Sequence, residues 1–185
     1  MKKIIVLLVL LVSIFLTLGI NVSAKSALDR IDLYEITIDP NEDGTLNMHF
    51  NIKWTVLDST SEGPLEWVKI GIPNKYVSNL RGESSCIKNI KYYSDSGSYI
   101  RLDLDRKYKA GESLEMKFSY TQSRMYFLKG EHCFYDYKPG WFDEIYVNQA
   151  IVKWNKTGVE YANQMSTSGN YYVWSAYLKP GETLS

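Results

Sequence analysis

The stretch Leu46–Val56 constrains this chain more than any other. Apolar residues fall at Leu46, Met48, Phe50, Ile52, Trp54 and Val56, with Asn47, His49, Asn51, Lys53 and Thr55 between them. Side chains on a strand alternate faces, so this period of two predicts a long strand with one buried and one wet face. Upstream, Tyr34, Ile36 and Ile38 alternate with Glu35, Thr37 and Asp39, and Pro40-Asn41-Glu42-Asp43-Gly44 supplies a turn. The two arms read as an antiparallel hairpin whose apolar face needs a second sheet to cover it.

The same grammar recurs downstream. Leu65–Ile72 reads as a strand stopped by Pro73, with Leu65, Trp67, Lys69 and Gly71 on one side and Val68, Ile70 and Ile72 on the other. Asn74–Ser85 is undecided between a helical turn and a meander. Further strands are expected over Cys86–Tyr93, around Ile100–Leu104, over Leu114–Tyr120, over Ile145–Trp154 and over Tyr171–Leu178. Turn residues every ten or so positions between alternating runs predict an all-β protein: an antiparallel, Ig-like β-sandwich over residues 25–126, then a second, incomplete β region over 127–185. Lys109-Ala110-Gly111-Glu112 and Lys179-Pro180-Gly181-Glu182 echo each other, each after an alternating strand. In the first copy Leu114 opens a new strand; the second stops at Ser185, which leads us to expect that the natural chain continues.

Residues 1–24 have the form of a bacterial secretory signal: Lys2 and Lys3, an apolar run from Ile4 to Ile20, and small residues before a cleavage point after Ala24. An uncleaved signal anchor is the rival, because the run approaches bilayer-spanning length. Either form places the rest of the chain outside the cytoplasm, secreted or at the cell surface. Removing Lys2 and Lys3 from the 21 basic residues leaves 19 against 21 acidic ones, a net charge near −2. With no basic block, nucleic acid is not an expected partner. Cys86 and Cys133 lie 47 residues apart. In an oxidising compartment they are candidates for a disulfide, with two separate thiols as the alternative.

Motifs of known chemistry mostly fail on spacing. Asp39–Gly44 fits the first six positions of a calcium loop, but Phe50 stands where the bidentate Glu belongs. Ser85-Cys86-Ile87-Lys88, Ser94-Asp95-Ser96 and Lys156-Thr157-Gly158 imitate the motifs of penicillin-recognising enzymes, yet Ser85 precedes a strand-like run instead of sharing a helix face with Lys88. His49, His132, Cys86 and Cys133 lack zinc spacing. Carboxylates such as Glu62 and Glu66 are numerous, and no spacing selects a catalytic pair. No metal, cofactor or catalytic residue is therefore assigned.

One aromatic segment remains. Tyr135, Tyr137, Trp141 and Phe142 offer flat faces with polar edges, suited to a sugar or a peptide; the alternative is that they close the open end of a sandwich. Exposure separates the two, since a contiguous exposed patch favours binding and a buried one favours packing. Tyr34-Glu35-Ile36-Thr37-Ile38 and Asn41-Glu42-Asp43-Gly44-Thr45-Leu46-Asn47-Met48 resemble the start of a group of predicted bacterial membrane proteins without assigned function. The resemblance covers mainly residues 31–57 and departs from the group at His49 and Phe50. It implies an extracytoplasmic β-rich domain followed by membrane helices, and carries over no site residue. The expectation is a non-enzymatic surface or secreted module binding a protein, peptide or glycan, with a membrane anchor through the signal or a later segment. A hydrolase of cell-wall or glycan material is the alternative.

Overall fold

A computed structural model describes residues 27–184; the signal sequence and its cleavage point lie outside the described residues. The chain is all-β, with twelve strands and no helix among the described residues. β1 (Asp29–Pro40) and β2 (Leu46–Val56) form the expected hairpin, and every apolar residue of the β2 alternation is buried. The turn between them closes with the Asn41 N–H on the Thr45 carbonyl at 2.8 Å, and Gly44 takes the positive φ of 80° that glycine tolerates best. Asp43 accepts from the Thr45 backbone and hydroxyl, and these bonds hold its carboxyl below the usual range.

Along β1 the buried positions run Ile31, Tyr34, Ile36 and Ile38. The step of three between Ile31 and Tyr34 is a bulge in the pairing with β2, after which a period of two resumes. β7 (Ser113–Gln122) lies on the other side of β2 and β4 (Val77–Gly82) beyond it, so the undecided region Asn74–Ser85 holds an edge strand. Beyond β1 come β10 (Tyr146–Asn155), β12 (Tyr171–Leu178) and the short β11 (Ser166–Ser168), completing seven strands in the order β11-β12-β10-β1-β2-β7-β4.

The pairing of β1 with β10 is parallel, from Arg30 opposite Tyr146 to Ile38 opposite Trp154. One ladder of the sandwich is thus parallel among antiparallel ones, and β10, β11 and β12, from the region beyond Phe127, lie in the same sheet as β1 and β2. Alternation within a strand does not encode which distant strand lies beside it, so neither feature was visible in the sequence.

A second sheet of three strands, β3 (Leu65–Gly71), β6 (Ser98–Tyr108) and β5 (Ile87–Ser94), runs in the order β3-β6-β5. Val68 and Ile70 of β3, with Ile100 and Leu102 of β6, join β1, β2, β7 and β10 in one buried cluster. At its centre the rings of Phe50 and Phe118 stack 4.6 Å apart at 12°. A two-stranded hairpin, β8 (Tyr126–Lys129) and β9 (His132–Tyr135), stands apart as a third sheet.

The two echoed turns are the same object. In each, Glu112 or Glu182 donates its N–H to the carbonyl of Lys109 or Lys179 at 3.0 Å and returns a carboxylate oxygen to that lysine's N–H, at 2.6 and 2.8 Å. Gly111 and Gly181 both take positive φ.

Phe118→Ala removes a fully buried ring stacked on Phe50. Chemical denaturation of the variant is expected to show a loss of about 3–5 kcal/mol.

Candidate functional site

Three strands cannot cover seven. Phe142 fills part of the remainder, its ring meeting Tyr34 edge-on at 5.4 Å and Trp54 edge-on at 5.9 Å. Tyr137 enters the same layer; burial pushes its hydroxyl, and those of Tyr34 and Tyr120, well above the ordinary tyrosine range. Tyr135 packs on Trp154 at 5.2 Å and donates its hydroxyl to the Gly44 carbonyl at 3.2 Å; burial raises that hydroxyl to about 12. The segment is held from behind by the second echoed turn, where the Gly181 N–H donates to the Phe142 carbonyl at 2.8 Å and the Thr183 hydroxyl to the Pro139 carbonyl at 3.3 Å.

Between this 136–145 segment and β3 lies a cleft of about 1260 Å³. Trp141 lines the segment's side of it, 59% exposed, with its indole N–H on the Asp143 carboxylate at 3.0 Å. Trp67 of β3 lines the opposite side, 41% exposed, with the Arg101 guanidinium 4.2 Å from its ring centre. At one point the two sides touch. A Cβ on Gly140 would sit 2.6 Å from the Gly71 carbonyl oxygen, whereas a Cβ on Gly71 would meet nothing nearer than the Gly140 Cα at 3.4 Å.

The cleft is richer in acid than in base. Asp29, Glu62, Asp136, Asp143 and Glu144 line it, against Lys69 and Lys138. The Lys69 ammonium is already engaged by Asp95 at 3.0 Å and lies over the Tyr99 ring. Asp29 accepts the Trp54 indole N–H at 2.9 Å. Burial raises its carboxyl above the usual range against the pull of that hydrogen bond, and the charge of Glu62 adds to the rise.

Of the four aromatic residues singled out in the sequence, three thus serve packing: Tyr135, Tyr137 and Phe142. Trp141 and the half-buried Phe142 both line the cleft, and of the two Trp141 is the exposed one. The sequence did not single out Trp67 or Asp29, although the β3 alternation already placed Trp67 opposite Val68 and Ile70. Cys86 and Cys133 are unbridged: Cys86 is buried, its thiol donating to the Glu115 carbonyl at 3.2 Å, and Cys133 is exposed on β9. Burial pushes the Cys86 thiol up, away from the thiolate that disulfide exchange requires. Ser85 lies in a turn and Lys88 on β5, so they share no helix face. Among the described residues, no cluster of three or more His, Cys, Asp or Glu could hold a metal ion, and no helix is long and apolar enough to cross a membrane.

No protein-family model matches the chain, and no curated protein matches it. Solved structures with related shape include an M1 zinc metallopeptidase variant from Deinococcus radiodurans bound to a Tyr-Ser-Ala substrate, at 8% identity and a TM-score of 0.45, covering 80% of this chain and 39% of that one. Another structure of the Deinococcus enzyme gives 12% identity and a TM-score of 0.43, covering 82% and 39%. A candidate protease from Parabacteroides distasonis gives 9% and 0.47, covering 84% and 36%. The chain spans less than two fifths of the length of these proteins, and likeness at this level carries no inference about activity.

Two stability experiments probe the walls. Gly140→Ala is expected to destabilise by about 1–3 kcal/mol through overpacking against the Gly71 carbonyl, and Gly71→Ala by less, as read by denaturant titration. Asp29→Asn keeps an acceptor for Trp54 and removes a charge that burial disfavours. Because the folded carboxyl titrates above its unfolded value of 3.8, ionisation costs stability at neutral pH and nothing once the pH falls below that value. The variant should therefore melt above the parent at pH 7, and the gap should close on acidification.

Proposed function

We propose that this chain is an exported, non-enzymatic binding module that holds an extended polymer in the cleft between β3 and residues 136–145. The observation that carries this reading is the contrast between adjacent residues. Phe142 is locked between Tyr34 and Trp54, so Trp141 beside it is presented to the cleft on a rigid base. A pre-positioned indole loses little entropy when a ligand stacks on it, which makes it a good anchor. Trp67 supplies a second anchor on the opposite side. The export signal read in residues 1–24 supports a site of action outside the cytoplasm, and the resemblance over residues 31–57 supports attachment to a membrane.

A hydrolase reading has one observation in its favour. Asp29, with its raised carboxyl and Glu62 in electrostatic reach, lines the same cleft and is a candidate acid. The two readings separate in one assay series on peptide and oligosaccharide panels. As a binding module the protein retains its probe unchanged, and Trp141→Ala weakens binding by about 30-fold, the loss typical of a central anchor, without shifting the melting temperature. Cleavage of any probe that disappears in Asp29→Asn would establish the hydrolase instead.

A further inference from the structure

Among the described residues β3 is an edge strand, hydrogen-bonded to β6 on one side, and its other side lies along the cleft. Which of its backbone groups face the cleft follows from the register. Ile72, opposite Ser98, donates its N–H to the Ser98 carbonyl at 3.0 Å. In an antiparallel ladder only alternate residues exchange such bonds, so Ile70 opposite Ile100 and Val68 opposite Leu102 pair with β6 in the same way. The backbone N–H and C=O groups of Trp67, Lys69 and Gly71 therefore point outward. At Gly71 the outward carbonyl is covered by Gly140, which ends the open edge and leaves Trp67 and Lys69 as a short template between the two tryptophans.

We infer that the cleft binds an extended, positively charged peptide segment that adds to the β3 edge as a further strand. An unpaired edge supplies main-chain hydrogen bonds that a peptide matches residue for residue, and a sugar has no backbone to match them. The charge of the ligand follows from the lining. Asp29, Glu62, Asp136, Asp143 and Glu144 line the cleft against Lys138 and a Lys69 that Asp95 already engages, so acid outweighs base. Lysine or arginine side chains of the incoming strand meet these carboxylates, and their stems or charges lie over the Trp141 and Trp67 rings.

This inference rests on the cleft-binding reading above, and the test separates the two. The probe is an immobilised library of eight-residue peptides with all amino acids at each position, screened with the parent protein and with Trp141→Ala. The best binder is then resynthesised with N-methyl groups on its odd or its even amides. The expected result is enrichment of Lys and Arg over Asp and Glu, loss of binding in Trp141→Ala, and at least a tenfold loss for one N-methyl phase with less than twofold for the other. Equal tolerance of both phases would overturn edge pairing while leaving the cleft as a binding site. Enrichment of acidic peptides would overturn the charge assignment. Binding of cello- or chito-oligosaccharides with no peptide selected would overturn the inference and keep the cleft reading; no binding of either probe class would overturn both.

Discussion

The structure depends on covering one apolar face that is wider than its cover. β2 buries Leu46, Met48, Phe50, Ile52, Trp54 and Val56, and neighbours on both sides extend that face across a seven-stranded sheet. At roughly 4.8 Å per strand, three strands span less than half the width of seven. The exposed remainder would cost about 25 cal/mol for each square ångström left wet, so something else must lie on it. That cover is the aromatic segment, with Phe142 and Tyr137 set into the layer and the turn around Gly181 holding them down.

A sandwich closed by one regular sheet and one irregular segment has a seam where the two covers meet. The cleft is that seam. Its β3 side is regular and edge-exposed; its other side is a loop fixed at Phe142 by packing and at Gly140 by contact with Gly71. Rings and carboxylates at such a seam are presented to solvent by residues whose neighbours are fully engaged in the core. Packing and recognition are thus one arrangement, the inward side chain holding the outward one.

Much of this fold was legible in the sequence, for a definite reason. Alternation in Leu46–Val56 and in Leu114–Tyr120 reports local burial, and turn residues such as Asn41 to Gly44 act over a few positions. The echo around Gly111 and Gly181 was legible on the same grounds, being a local hydrogen-bond pattern. The parallel pairing of β1 with β10, which puts strands from either side of Phe127 in one sheet, was not, because it joins segments more than a hundred residues apart. The candidate site fell between these cases. Composition drew attention to Tyr135, Tyr137, Trp141 and Phe142 as one group, but which ring faces inward depends on the irregular backbone that carries them. Trp67 stood out only once β3 was known to lie at an edge.

Among the described residues β3 presents an unpaired edge to an open cleft, and native-state hydrogen exchange reads that edge amide by amide. Amides committed to β6 should open only with the sheet, while those facing the cleft should exchange as solvent-exposed groups. Slow exchange at Val68 and Ile70 interleaved with fast exchange at Trp67 and Lys69 is the expected result. Slow exchange at all four would mean that the edge is already paired, and would contradict an open β3 edge.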